Sequence, residues 1–330
     1  MPKTPSSFCR CRSNWALQRP ARLRLRRNVV FSGRPSALSA SLRCSTIFLH
    51  RRDAESAEKT TRSRFNQWNA YDILPSHSET NMSEAGRCIV IGGSGALGSA
   101  VCRALHREGV HVGLTFFSNE QAATQLCDEL PGVVAVQSDL REVAQLEQAV
   151  EELADRLGGV TAIVHSAAIC LTPGDVVPPD KTQKLEHVHA AGWDELMSVN
   201  VRSVYFACRQ VMPHLRRSGG GNVVLVGSIS GTRPLPSPIH YATSRTALEG
   251  MTRAMAKEVG GDNIRVNVIE PGILEAGVSR SLPQHLLDEY QKHCALKRVG
   301  KMTEVANVIA WFAQHNTYVS GQNILVDGAL

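Results

Sequence analysis

The chain has 330 residues, of which 43% are hydrophobic and 20% charged, the composition of an ordinary globular protein. No apolar run approaches the about 18–20 residues that would span a bilayer. The net charge of +6 invites a nucleic-acid reading, but residues 1–81 hold 15 of the 36 Lys+Arg and 5 of the 30 Asp+Glu, which leaves 21 basic against 25 acidic residues in 82–330. The body is therefore mildly acidic, and neither nucleic acid nor a membrane is an expected partner.

Residues 1–52 carry twelve basic side chains, eight serines and no acidic residue. That composition reads as a mitochondrial transit peptide. The alternatives are an over-read upstream of a true start at Met82 and a basic binding tail. Residues 53–81 are polar and aperiodic and read as linker. The expected organisation is a disordered basic extension over 1–81 and one domain over 82–330. The expected compartment is the cytoplasm, or the mitochondrion if 1–52 is a genuine transit peptide. Cys9 and Cys11 stand too isolated for a zinc site, and the other cysteines are scattered through apolar contexts. A reducing compartment, no disulfide framework and no metal are expected.

From residue 88 onward, short β-branched runs alternate with amphipathic stretches. Strands are predicted over Cys88–Ile91, His111–Thr115, Val133–Gln137, Ala162–His165, Asn222–Gly227, Arg265–Ile269 and Ile324–Val326. Helices are predicted over Leu97–Arg107, Asn119–Leu130, Val143–Leu157, Trp193–Ser218, His240–Val259 and Glu304–Phe312. This alternation predicts an α/β fold, a Rossmann-type doubly wound sheet of seven mainly parallel strands flanked by helices. Right-handed crossovers put the ligand crevice at the carboxyl ends of the strands.

The first strand runs into Gly92-Gly93-Ser94-Gly95-Ala96-Leu97-Gly98. Glycines allow a tight turn and close approach to a pyrophosphate, and the following helix start offers unpaired N–H groups to it. Gly93, Gly95 and Gly98 fit G-x-G-x-x-G in a strand-turn-helix setting, which marks dinucleotide binding. The second strand ends Leu114-Thr115-Phe116-Phe117-Ser118-Asn119, with no acid before Glu120 to hold a ribose 2′-hydroxyl. NADP(H) is therefore expected over NAD(H), with Ser118, Asn119 and backbone donors meeting the 2′-phosphate, although no arginine sits in that stretch. Farther on, Tyr241 and Arg245 stand four residues apart on one helix and share a face. A fixed cation beside a phenol favours tyrosinate and lowers its pKa, which suits general acid/base chemistry.

Together with Ser228, thirteen residues upstream of Tyr241, these motifs resemble the short-chain dehydrogenase/reductase family over Cys88–Leu330. The resemblance implies a catalytic set of Asn200, Ser228, Tyr241 and Arg245. Asn200 would bend its helix and hold a relay water. Ser228 would bind the substrate carbonyl, Tyr241 would donate the proton, and Arg245 would take the place of the usual lysine beside the nicotinamide ribose. It also implies cofactor contacts from Asp139 and Leu140, from Ser166, Ala167 and Ala168 after His165, and from Pro271, Gly272 and Leu274. His165 reads as structural or as lining the crevice. Ile91 replaces a threonine, removing one loop-bracing hydrogen bond, and Ala276 replaces another near the nicotinamide.

Gly227-Ser228-Ile229-Ser230-Gly231, Lys297-Arg298-Val299-Gly300 and Val326-Asp327-Gly328 are similar to 3-oxoacyl-acyl-carrier-protein reductases. The expected activity is NADPH-dependent reduction of a 3-oxoacyl thioester, on an acyl-carrier protein or coenzyme A, in fatty-acid or polyketide-type synthesis. Reduction or oxidation of another small carbonyl, alcohol or pigment intermediate is an alternative. So is a non-catalytic NADP-binding relative, given Arg245. Arg202, Arg209, Arg216 and Arg217 are either a docking patch for an acidic carrier or a solvated helix face. Leu282, Leu286 and Leu287 line an acyl channel or pack a helix. Ala247, Leu248, Met251 and Met255 form a stripe that suits a core or an interface. The family commonly forms tetramers, so a homotetramer or homodimer is expected.

Overall fold

The computed structural model describes residues 85–170 and 185–330, all within one compact unit, Ser78–Leu330. The readings of residues 1–81 lie outside the described residues. Seven parallel strands form one sheet in the order β3-β2-β1-β4-β5-β6-β7. They are β1 Arg87–Ile91, β2 His111–Phe116, β3 Val134–Gln137, β4 Ala162–His165, β5 Gly221–Val226, β6 Ile264–Pro271 and β7 Asn323–Val326. The order reverses between β1 and β4, where Ile91 pairs with His165. Loops leave these two strands in opposite directions and open a crevice at their carboxyl ends.

The helices are α1 Ala96–Arg107, α2 Glu120–Glu129, α3 Val143–Leu157, α4 Ala190–Met197, α5 Ser203–Arg217, α6 Ile229–Thr232, α7 Ile239–Val259, α8 Gln284–His293 and α9 Met302–Gln314. Both sheet faces are covered, so the inner strands read as unbroken apolar runs. Successive residues of β1 point to opposite cores. Cys88 and Val90 pack with α1, α2 and α9, whereas Ile89 and Ile91 pack with α3, α5 and α7. Each fully buried Leu or Ile contributes about 1.5–3 kcal/mol of burial free energy. The stripe of Leu248, Met251 and Met255 on α7 belongs to the second core.

The helix predicted over Trp193–Ser218 is not continuous. α4 passes through a π-helical turn, Ser198–Arg202, before α5 begins. The cause is Asn200, which is fully buried and bonds out of its own helix. Its Oδ1 accepts from the Ile169 backbone N–H at 2.9 Å, and its Nδ2 donates to the Ile169 carbonyl at 2.7 Å. Meeting both groups of a neighbouring segment widens the turn, and such π turns recur at functional sites. Hydrophobic periodicity runs through the turn undisturbed, so the bend that the family resemblance implies at Asn200 has no counterpart in the apolar pattern.

Candidate active site

The glycine-rich loop joins β1 to α1. Gly92 has φ of +80°, and a Cβ there would lie 2.7 Å from the Ala167 Cβ. A Cβ on Gly98 would overlap the Gly92 carbonyl oxygen and stand 2.9 Å from Ser166 Oγ. The start of α1 is thus pressed onto the loop at a distance only glycine allows. Ile91 lacks a bracing hydroxyl, as the sequence implies, but two neighbouring strands supply replacements. The Gly92 N–H donates to Thr115 Oγ1 at 3.0 Å, and Ser166 Oγ donates to the Ile91 carbonyl at 2.9 Å. Thr115 closes the β2 side of the loop and is 1% exposed. Nothing local in the sequence distinguishes it from any other strand threonine.

A cleft of about 1050 Å³ runs across the carboxyl ends of the strands. Of the residues expected there, Gly92, Ser94, Gly95, Leu97 and Gly98 line it beside α1. Ser118, Asn119 and Leu140 line it beside β2 and β3, and Ser166, Ala167 and Ala168 follow β4. Ser228, Tyr241, Arg245, Pro271, Gly272 and Leu274 complete the predicted wall. Three expected residues stand elsewhere. Gly93 lies beneath the loop, where a Cβ would be 2.5 Å from the Leu114 Cβ, so its role is packing. Asp139 does not face the cleft. Its carboxylate accepts from Arg141 Nε at 2.9 Å and Nη2 at 2.7 Å, and that pairing holds its pKa below the usual range. Asn200 sits behind the site, with its amide committed to Ile169 and to Ser244 Oγ at 3.1 Å.

Sequence reasoning missed several lining residues. Thr115 and Cys170 border the middle of the cleft, and Leu235, Ile273 and Tyr290 border its far end. Tyr290 comes from α8 and donates to the Asp327 carbonyl at 2.8 Å, while burial pushes its phenol up to about 12. A Cβ on Gly272 would overlap Tyr290 Oη, so the Pro271-Gly272 turn and α8 fit together through that glycine. Leu282 and Leu286 line the cleft, but Leu287 does not. The four arginines do not form an open patch. Arg209 pairs with Glu147, Arg216 pairs with Asp262 at 2.7 Å, Arg217 contacts His214 Nδ1 at 2.7 Å, and Arg202 donates to the Arg141 carbonyl at 2.7 Å.

At the centre, Ser228 caps the one-turn helix α6 and shares a hydrogen bond with Ser230 Oγ at 2.8 Å. Tyr241 lies in the first turn of α7, 8% exposed. Arg245 is one turn on and 1% exposed, with its guanidinium carbon 5.1 Å from the Tyr241 ring centroid. Arg245 Nη1 donates to the Val226 carbonyl at 3.1 Å, whereas Nη2 is buried without a hydrogen-bond partner. The expectation of a lowered phenol pKa needs correction. Burial raises it overall, while the Arg245 charge and the Ser228 hydroxyl pull it down. The desolvation of a buried phenolate outweighs its attraction to one nearby cation. His165 lies behind the site, its Nε2 3.0 Å from Ser203 Oγ. Its pKa is pushed down to about 3 by burial, with the Arg245 charge adding to the shift, so the ring is neutral.

Glu270, fully buried on β6, stands directly before Pro271-Gly272. Its Oε2 accepts from the Thr232 hydroxyl of α6, and Oε1 has no hydrogen-bond partner. Burial raises its carboxyl pKa, with Glu249 adding to the rise. A raised carboxyl pKa favours the folded state below the unfolded value and loses that advantage as pH climbs through the folded value. Wild-type protein should therefore melt lower at pH 8 than at pH 5, and Glu270→Gln should narrow that difference. A thermal melt at both pH values checks this, and an unchanged difference in the variant refutes it.

The profile of a family described as Enoyl-(Acyl carrier protein) reductase matches residues 93–330. A protein of Rhizobium meliloti described as a probable galactose dehydrogenase is 30% identical over 265 residues, covering 78% of this chain and 99% of its own. A 3-oxoacyl-(acyl-carrier-protein) reductase of Thermotoga maritima is 29% identical over 247 residues, covering 74% of this chain and 96% of its own. Among solved structures, a short-chain dehydrogenase of Burkholderia cenocepacia in complex with NADP superposes with a TM-score of 0.67 at 26% identity, covering 74% of this chain and 97% of its own.

Proposed function

The chain belongs to the short-chain dehydrogenase/reductase family, and from that premise we propose that it is an NADPH-dependent ketoreductase that converts a 3-oxoacyl thioester into the 3-hydroxyacyl thioester. The thioester is carried on an acyl-carrier protein or coenzyme A, in fatty-acid or polyketide-type synthesis. One domain over 82–330 does this work. A homotetramer or homodimer in the cytoplasm, or in the mitochondrion if residues 1–52 are a transit peptide, belongs to the same reading. Exposed Tyr205 and Trp311 are available for self-association.

The glycine cradle at Gly92 and Gly98, which no Cβ fits, suits a dinucleotide backbone. The unpartnered Arg245 Nη2 suits a ribose hydroxyl. NADPH held there would supply the hydride that reduces the carbonyl carbon. Tyr241 gives its proton to the carbonyl oxygen, and Ser228, held by Ser230, donates a hydrogen bond to that oxygen. Arg245 stabilises the phenolate left on Tyr241. Asn200 acts through others: it fastens the Ile169 backbone, which precedes Cys170 in the cleft wall, and it bonds Ser244 on α7.

The observation that carries the substrate class is the apolar far end of the cleft. Leu235, Ile273, Val278, Leu282 and Leu286 line it, a wall suited to an acyl chain, with Ser237, Ser279 and His293 among the polar residues of the same cleft. The similarity to a galactose dehydrogenase makes a sugar the competing substrate, and the apolar wall favours the thioester. The test follows NADPH absorbance at 340 nm with 3-oxoacyl thioesters of several chain lengths, and NADP reduction with D-galactose. The expected result is turnover of the thioesters, faster with longer acyl chains, and none of galactose. Turnover of galactose alone would replace this reading with a sugar dehydrogenase. Cofactor binding with no turnover of any substrate would favour a non-catalytic relative.

A further inference from the structure

We propose that Arg141 selects NADPH over NADH by binding the 2′-phosphate of the adenosine ribose. The inference rests on the NADPH reading above and assigns its selectivity to a residue outside the cleft wall. The two dinucleotides differ only in that phosphate, which calls for a cation and several donors close to the end of β2.

Among the described residues lining the cleft, Arg245 is the sole Lys or Arg, and it stands beside Tyr241, with its guanidinium carbon 5.1 Å from that ring. The β2 end offers Phe117, Ser118 and Asn119, but no cation: Asn119 Oδ1 caps α2, accepting from the Ala122 N–H at 3.1 Å, and its Nδ2 is a neutral donor. The cation comes from another part of the chain. Arg141 follows the lining residue Leu140 in the turn before α3, and its guanidinium carbon lies 5.0 Å from the centroid of the Phe117 ring. Two turns that are distant in sequence thus bring an arginine to the β2 end.

The donors of Arg141 are only partly used. Nε–H and one Nη2–H go to Asp139, and one Nη1–H goes to Glu195 Oε1 at 3.3 Å. A guanidinium has five N–H groups, so one remains on each terminal nitrogen, a planar pair suited to phosphate oxygens. The side chain is 40% exposed and so is reachable. Asp139 and Glu195 are balanced by Arg141 and by Arg202, which donates to the Arg141 carbonyl at 2.7 Å. An arriving phosphate therefore meets no net negative charge from this cluster. Asp139, turned away from the cleft, holds the fork against Phe117 before any ligand arrives.

The test titrates NADPH and NADH into wild-type protein, Arg141→Gln and Arg141→Lys, followed by the fluorescence of the reduced nicotinamide, with adenosine 2′- and 5′-monophosphates compared by calorimetry. Arg141→Gln should weaken NADPH and the 2′-monophosphate by about 10- to 100-fold while leaving NADH and the 5′-monophosphate unchanged. Arg141→Lys should fall between, because it keeps the charge and loses the fork. Circular dichroism melts establish that both variants fold. An equal loss for NADPH and NADH would mean that Arg141 only supports the turn, and it overturns the proposal, as does an unchanged ratio. Wild-type protein that prefers NADH overturns it while sparing the oxidoreductase. Wild-type protein that binds neither dinucleotide overturns the cofactor reading as well.

Discussion

Tyr241→Phe should lower kcat/KM for 3-oxoacyl thioester reduction by about 10²- to 10⁴-fold, the usual contribution of a positioned proton donor. The substitution removes one oxygen from a side chain that is 8% exposed and leaves the Ser228–Ser230 pair in place. NADPH affinity and melting temperature should stay close to wild type. Titration of the phenol gives a second reading. Its pKa is raised by burial, so the proton is present through neutral pH and reduction should fall only on the alkaline side. The reverse oxidation needs the phenolate, so its rate should climb with pH over the same range. Steady-state rates against pH in both directions check this. A reductive rate that rises with pH beyond neutrality, or a Tyr241→Phe enzyme of wild-type activity, would remove Tyr241 from the proton-donor role.

Arg245→Met should separate activity from stability. Two unit charges about 5 Å apart at an effective dielectric constant near 20 attract by about 3 kcal/mol, so losing the cation beside the developing phenolate should reduce kcat/KM by about 100-fold. Stability should move the other way or not at all. Arg245 is 1% exposed, pairs with no carboxylate among the described residues, and leaves Nη2 without a hydrogen bond. A buried charge in that condition costs free energy that an apolar side chain of similar length does not. Arg245→Met should therefore melt at or above the wild-type temperature, with the alkaline fall of reduction shifted to higher pH. Arg245→Lys keeps the charge but loses the planar fork that meets the Val226 carbonyl, and it should retain more activity than the methionine variant. Unchanged activity in Arg245→Met would exclude a catalytic role for this charge, whatever the melt shows.

Legibility in the sequence followed the range of each signal. The seven strands and most helices were readable because the two periodicities act over a few residues and both sheet faces are buried. The glycine loop was readable because much of its constraint is local: Gly92 has a positive φ, and a Cβ on Gly98 would overlap the Gly92 carbonyl oxygen. The π turn at Asn200 was not readable from periodicity, since its cause is the Ile169 backbone, 31 residues away; only the family resemblance implied a bend there. Thr115 as the brace of the loop was not either, because the N–H it receives lies 23 residues earlier. The phenol pKa was read from one cation, whereas burial, which depends on everything packed around the ring, sets its direction.

Asp139 shows the same limit in reverse. Its place after β3 suggested a contact with adenine, but Arg141, only two residues on, takes its carboxylate and rests on Phe117. The stretch after β2 contains no arginine, yet an arginine stands over it. By itself, the sequence determined the strand-and-helix alternation, the loop that turns between β1 and α1, and the placing of Tyr241 one turn from Arg245, because each is encoded by residue types at short spacing; Ser228 joined them through the family resemblance. The tertiary structure alone decided which side chains face the cleft, which charges are already paired, and what burial does to a proton, because those depend on neighbours brought together by packing from distant parts of the chain.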